Sequence, residues 1–205
     1  MKDQYFGDAN DYRKYGLLRD LIEGSQLRLG VCWLRTVNDG RRDGEFRQYL
    51  QKPERWRHRD PELYDALRRL LDPGVERTVL HAESWGLLPG ARYHHRILND
   101  GASDRRSYFA EAWQRLREAQ LLFLDPDNGL EVQSVSYGKR TSAKYLYWHE
   151  VEEAYGRGHS LIIYQHFRRQ KRDTFVTDMA DELQYRLGGS RVHLASMRPG
   201  GRCSS

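Results

Sequence analysis

The sequence predicts an α/β fold, a mainly parallel sheet flanked by helices. Three observations lead there. Short apolar runs alternate with segments of helical periodicity along the chain, the pattern of successive βα units. The most apolar run, Leu121 to Leu124, passes straight into a turn-rich acidic loop, as strands do at the lip of a parallel sheet. The chain has 205 residues, 39% of them hydrophobic, which is enough for one core of ordinary size.

The elements follow in order. Residues 11–23 place Tyr12, Tyr15, Leu18, Leu21 and Ile22 three and four apart, an amphipathic helix. Asn10 or Asp11 is the expected cap and Gly24 the expected stop. LRLGVCWL, 27–34, reads as a buried strand. A polar loop follows with two Asp-Gly pairs, Asp39-Gly40 and Asp43-Gly44, which mark turns because glycine takes positive φ without steric cost. The stretch 36–60 is irregular and is expected as an insertion within a single domain spanning 1–205. Asp60-Pro61 opens a helix through 71, the proline standing in the first turn, where a missing N–H costs nothing. Short strands are expected at 78–81 and 93–98. Residues 103–119 form a helix with Tyr108, Phe109, Ala112, Trp113 and Leu116 on one face. After the strand 121–124 come a helix at 145–157, a strand at 160–167, a helix at 172–187 and the start of a last strand at 191–195.

Composition narrows the function classes. No apolar run approaches the ~20 residues of a membrane span. The N-terminal MKDQYFGDAND lacks the apolar stretch of a secretory signal. Only Cys32 and Cys203 are present, so a disulfide scaffold and a cysteine-ligated zinc site are excluded and a cytoplasmic location is the expectation. Lys and Arg number 34 against 29 Asp and Glu, for a net charge of +5 dominated by arginine, whose fork suits phosphate; nucleic acid is the expected partner. The chain carries no phosphate-binding Gly-x-x-x-x-Gly-Lys-Ser/Thr loop, no Gly-x-Gly-x-x-Gly after its first strand and no Gly-x-Ser-x-Gly elbow.

Three constellations could carry chemistry. In Asp125-Pro126-Asp127-Asn128-Gly129, with Glu131 close by, Pro126 cannot join a ladder, so Asp125 ends its strand at a rigid corner. A carboxylate there can accept a hydrogen bond from an amine or bind a metal, though the same residues also make an ordinary turn. The run Gly7 to Tyr15 sets Asp11 one turn from Lys14, close enough to pair. In Tyr164-Gln165-His166-Phe167-Arg168-Arg169, alternation sends Gln165 and His166 to opposite sides, with His166 a candidate base and Arg168 a candidate phosphate ligand. His81 with Glu83, and His94 with His95, match no standard zinc spacing.

The first two of these runs resemble the class I S-adenosylmethionine-dependent methyltransferases, which are Rossmann-like, and among them the RlmJ-type enzymes that methylate an adenine exocyclic amine in large-subunit ribosomal RNA. That branch opens with a Gly-Asn…Asp…Lys-His run, matched here by Gly7-Asp8, Asp11 and Lys14-Tyr15. It also carries Asp-Pro-Pro-Tyr after an apolar strand, matched here by Asp125-Pro126-Asp127-Asn128. The resemblance implies S-adenosylmethionine as cofactor and Asp125 as the carboxylate that accepts from the target amine. It implies Lys14 and Tyr15 at the cofactor entrance, Glu83 on the ribose hydroxyls and Asp100 beside the adenine. From the residues themselves, Asp127 is a second catalytic candidate, and Asn128, His166 and Arg168 are candidates to meet the substrate. The chain departs from the pattern in two places. Residues 35–40 hold no glycine-rich loop, and Asp127 and Asn128 stand where the family has a proline and the tyrosine that stacks on the target base. Trp148, Tyr145 and Tyr147 are candidate replacements for that tyrosine.

Three functions are open at this point. One is a methyltransferase acting on nucleic acid. A second is a magnesium-dependent nuclease or nucleotide-processing enzyme using Asp125, Asp127 and Glu131 near Lys139, Arg140 and Lys144. A third is a non-catalytic nucleic-acid-binding module on a degenerate scaffold.

Overall fold

A computed structural model describes residues 1–40, 46–167, 170–189 and 191–193. Its centre is a four-stranded, all-parallel sheet of β1 (Leu29–Cys32), β2 (Arg92–His94), β3 (Leu121–Leu124) and β4 (Ser160–Ile163), in the order β2-β1-β3-β4. The fold is Rossmann-like α/β, as the alternation of apolar runs and helical segments requires. The chain steps outward from β1 to β2, then returns past β1 to β3. The crevice between the carboxyl ends of β1 and β3 is therefore the switch point, where such sheets bind ligands.

Strand periodicity divides the core in two. Leu29, Val31, Trp33, Leu121 and Phe123 face one side and pack with Tyr12, Tyr15 and Leu18 of α1 (Ala9–Ser25). Leu63, Tyr64, Leu67 and Leu70 of the helix at Pro61–Leu70 complete that layer. Cys32, Leu34, Leu122 and Leu124 face the other side. They pack with Tyr108, Phe109, Ala112 and Trp113 of the helix Ala102–Arg115, and with Val151 and Ala154 of the helix Trp148–Gly156. Gly30 sits where the backbone meets the end of the Ala102–Arg115 helix. A Cβ there would lie 2.7 Å from Leu122 Cδ2 and 2.8 Å from Ala119 Cβ.

Several boundaries differ from the sequence expectation, each for a physical reason. The first helix starts at Ala9 because the Asp8 carboxylate, not Asn10 or Asp11, accepts from the Asn10 and Asp11 amides. It runs through Gly24 and ends at Gln26, which is left-handed at φ 56°. Residues 78–81 are not a strand. Asp3 accepts from Thr78 Oγ1 and from the Val79 amide, winding the chain into a turn and the single helical turn His81–Ser84. The strand expected at 93–98 is Arg92–His94, followed by an isolated bridge from Ile97 to Arg35. The helix expected from 145 begins at Trp148, because Leu146 is extended and bridges Leu130. The fourth strand stops at Ile163, and Gln165 turns inward to accept from the Leu130 amide at 2.7 Å. The last helix is Arg172–Arg186. Residues 191–193 carry no strand, and the rest of the expected final strand lies outside the described residues. Between 46 and 60 the expected irregular stretch holds two 3-10 turns and the helical turn Pro53–Trp56. Among the described residues no helix is long and apolar enough to cross a membrane.

One buried ion pair ties the second layer to the loop after β3. Arg105 is fully buried and holds both oxygens of Glu150, at 2.7–3.0 Å, while donating to the carbonyls of Ser142 and Tyr145. Burial pushes the Glu150 carboxyl up, and the guanidinium pulls it back. Removing one member strands the other charge in the interior. Arg105→Ala is expected to lower unfolding free energy by ~3–5 kcal/mol. Chemical denaturation of the purified variant reads this directly, and a loss below about 1 kcal/mol would show that the pair does not hold the loop.

Candidate active site

At the carboxyl ends of β3 and β4, beside the switch point, lies a cavity of about 290 Å3, walled by the start of the first helix, the 125–128 corner and the residues after β4. That is the low end of the size of ligand pockets, roughly 300 Å3 and upward. Each wall is fixed by a local rule. Pro126 ends β3, so Asp125 is the last residue to join the ladder, its amide donating to Cys32 at 3.2 Å. The Gly129 turn at φ 86° brings the backbone so near Gln165 that any Cβ would collide with that side chain. Asp8 caps the first helix and so orients its first turn, which carries Asp11 and Lys14 inward.

Lys14 and Asp125 meet in this cavity. The ammonium lies 2.8 Å from Asp125 Oδ2 and 2.8 Å from Asp11 Oδ1, and 4.4 Å from the centre of the Tyr164 ring. Asp11 Oδ2 accepts in turn from the Gly7 amide at 2.9 Å and from the Tyr15 hydroxyl at 3.2 Å. Asp125 is 2% exposed. Its neighbour Asp127 is spoken for separately. Thr36 Oγ1 donates to Oδ2 at 2.6 Å, and the Met1 ammonium lies 2.9 Å from Oδ1. That ammonium also donates to the carbonyls of Leu34 and Asp125. Leu34, immediately after β1, is left-handed at φ 43°, a strained state for a leucine at the lip of the sheet.

The electrostatics are anionic. Asp8, Asp11, Asp125 and Asp127 line the cavity against the ammoniums of Lys14 and Met1, a formal excess of two negative charges. Burial raises the Asp11 carboxyl to about 6 despite the pull of Lys14, with Asp8 and Asp125 adding repulsion. Burial alone would lower Lys14, but Asp11 and Asp125 outweigh it and hold the ammonium above its ordinary range. Desolvation raises the Tyr164 hydroxyl to about 12 and lowers the His166 imidazole, which favours its neutral form. The His166 ring packs edge-on to Tyr164, centroids 4.9 Å apart.

Five of the residues expected in the site line this cavity together: Lys14, Asp125, Asp127, Asn128 and His166. Tyr15 does not. It is fully buried beneath the cavity against Phe6 and Trp33, and touches the site only through its hydrogen bond to Asp11. Glu83 is elsewhere, because the strand that would have carried it to the lip is a turn; its carboxylate pairs with His95 at 3.0 Å. Asp100 is elsewhere too, its oxygens accepting from the Thr141 and Ala143 amides at 2.8 Å. Arg168 lies outside the described residues. Glu131 is not among the lining residues, so it does not assemble with Asp125 and Asp127, and the described residues hold no group of three metal-ligating side chains. His94 is buried and lowered to about 4, a core histidine. None of Trp148, Tyr145 and Tyr147 lines the cavity; the aromatic rings that do are Tyr5, Phe46 and Tyr164. Tyr5, Phe46 and Thr36 were not legible in advance, since nothing local in the sequence marks them. No protein-family model, curated protein or solved structure matches the chain.

The raised Asp11 carboxyl has a signature in stability. Between about pH 4 and 6 the folded chain keeps a proton that the unfolded chain, with its ordinary value of 3.8, has released. Folded molecules bind more protons there, so this group's contribution to stability falls as pH rises, by about 3 kcal/mol over the window. Urea unfolding of wild type and Asp11→Asn from pH 4 to 7 is expected to show a steeper decline in the wild type, because only the Glu150 and Asp8 carboxyls, also raised by burial, remain in the variant. Parallel profiles would refute the assignment.

Proposed function

We propose that this chain is an S-adenosylmethionine-dependent methyltransferase acting on the exocyclic amine of an adenine in nucleic acid. The observation that supports it best is the contact between Lys14 and Asp125. These residues belong to the two runs that carry the family resemblance, they stand 111 positions apart, and they meet at 2.8 Å in a cavity at the carboxyl end of the sheet.

The donor set fits this cofactor. When bound, S-adenosylmethionine supplies an electrophilic methyl group on a sulfonium, and a cavity with excess carboxylate suits a cation better than a phosphate. Asp8, Asp11 and Asn10 on the first helix are placed to hold it, together with the Tyr164 ring. Asp125, oriented by Lys14, can accept an N–H of the amine and so direct its lone pair. Positioning of this kind does most of what methyl transfer asks of a protein. The neutral His166 at the rim can take up the released proton.

The same geometry disfavours a magnesium-dependent nuclease. Asp125 and Asp127 already face ammoniums at 2.8 and 2.9 Å, so a divalent ion would have to displace both while Glu131 stays away. A binding-only module leaves unexplained why four carboxylates are gathered in one cavity, at a desolvation cost that nothing in nucleic-acid binding offsets.

Calorimetry with S-adenosylmethionine is expected to show binding to the wild type and to Asp125→Asn alike. Methyl transfer to an adenine-containing oligoribonucleotide is expected to fall at least ~100-fold in Asp125→Asn. No heat at millimolar cofactor, or undiminished transfer in the variant, overturns the reading.

A further inference from the structure

Adjacent residues line two different cavities. Phe46 lines the anionic one, and Arg47 lines a second, also of about 290 Å3, closed by the turn at 70–75 and by Arg77. The second cavity is opposite in charge. Two arginines line it, with Asp72 the one carboxylate among its lining residues. Arg47 is exposed, whereas Arg77 is half-buried and aligned by a hydrogen bond from its Nε to the Phe6 carbonyl at 2.7 Å. Burial and then the neighbouring Arg47 hold the Arg77 guanidinium below its ordinary value against the pull of Asp11 and Asp8, so the two cations repel. An anion between them would relieve that repulsion, and the guanidinium fork matches phosphate oxygens in pairs.

Phe46 supplies the link to the first cavity. Its backbone is pinned by the Ala9 amide, which donates to its carbonyl at 3.0 Å, yet its side chain is 65% exposed at the mouth. A large apolar ring held in water by a fixed backbone is suited to stack on a planar ligand.

We propose that the second cavity is a phosphate site, and that its ligand is a backbone phosphodiester of the nucleic-acid strand whose base stacks on Phe46 and enters the first cavity. The base half of this rests on the proposed function; the phosphate half does not. One strand would then cross from a cationic to an anionic cavity over the Phe46-Arg47 peptide, its phosphate drawn by the arginines and its uncharged base held by stacking.

The test is the affinity of a short single-stranded, adenine-containing oligoribonucleotide, measured by fluorescence anisotropy across a salt series. Arg47→Gln, at an exposed position, is expected to weaken binding several-fold and to lower the slope of log affinity against log salt by about 0.7, the loss of one phosphate contact. Arg77→Lys keeps the charge but loses the fork; it is expected to weaken binding with the slope unchanged. Both are expected to leave the calorimetric binding of S-adenosylmethionine unaltered. Affinity and slope indifferent to Arg47→Gln overturn the proposal. Inorganic phosphate that binds through Arg47, beside an oligonucleotide that ignores Arg47, overturns the assignment to a nucleic-acid strand. If S-adenosylmethionine fails to bind while Arg47→Gln still lowers the slope, the methyltransferase reading falls and the phosphate site stands.

Discussion

Lys14 reaches from the first helix to the tip of β3 and meets Asp125 inside a cluster that also holds Asp11, all three side chains almost wholly buried. Taking a charge out of water costs several kcal/mol per ion even after relaxation, and an ammonium between two carboxylates recovers that only when the geometry is good. Here the ammonium has two carboxylate oxygens at 2.8 Å and an aromatic face at 4.4 Å. Asp11 is in turn held by the Gly7 amide and the Tyr15 hydroxyl. Gly7 can take part because its φ of 75° suits glycine and because Leu71 packs where a Cβ would lie. The cluster thus dictates the residue at 7, the cap at 8, the burial of Tyr15 and the approach of the helix to the sheet.

Such a cluster is a poor way to gain stability. Apolar residues of the same volume often do as well or better in the same place. Its position matters more. The cluster lies at the carboxyl end of the sheet, on the wall of the cavity, rather than in the hydrophobic layers on either side. A buried, ion-paired cluster therefore coincides with the end of the sheet where such folds receive ligands. The ion pair Arg105–Glu150 is the counterpart that does not: it lies under the loop after β3, satisfies the Ser142 and Tyr145 carbonyls, and lines neither of the two cavities.

What could be read in advance divides along the same line. Strand β3 was legible to the residue, because four consecutive apolar side chains followed by Asp-Pro leave few alternatives. The helices at 61–70 and 172–186 were legible within a residue from their periodicity and from Pro61. The turn at 78–81, where a strand was expected, was not, since Asp3, which winds that segment, lies 75 residues earlier. The site shows the same split. Asp125, Lys14 and His166 stood out through local signals, a strand end, a helix turn and an aromatic-polar run. Glu83 and Asp100 were placed by chain order alone, and their oxygens are engaged elsewhere. Thr36 and Phe46 enter by tertiary contact, which no local pattern encodes.

The turn after β1 shows how this chain differs from folds that cradle a ligand with bare backbone. A glycine-rich loop supplies two things, a left-handed residue and space for close approach. Leu34 keeps the first, at φ 43°, and forfeits the second, because its side chain is fully buried among Cys32, Tyr108 and Leu124. Left-handed leucine costs roughly 1–2 kcal/mol, and burying its side chain returns about 1.5–3 kcal/mol. The exchange is favourable for folding. The Leu34 carbonyl, turned by that same φ, accepts from the Met1 ammonium, which in turn reaches Asp127. With the bare-backbone surface gone, a ligand in the neighbouring cavity meets side chains instead, and the ones lining it are carboxylates, ammoniums and aromatic rings. Selectivity in such a site follows from charge sign and ring stacking, so a cation is favoured there and a phosphate must find its counter-charge elsewhere on the chain.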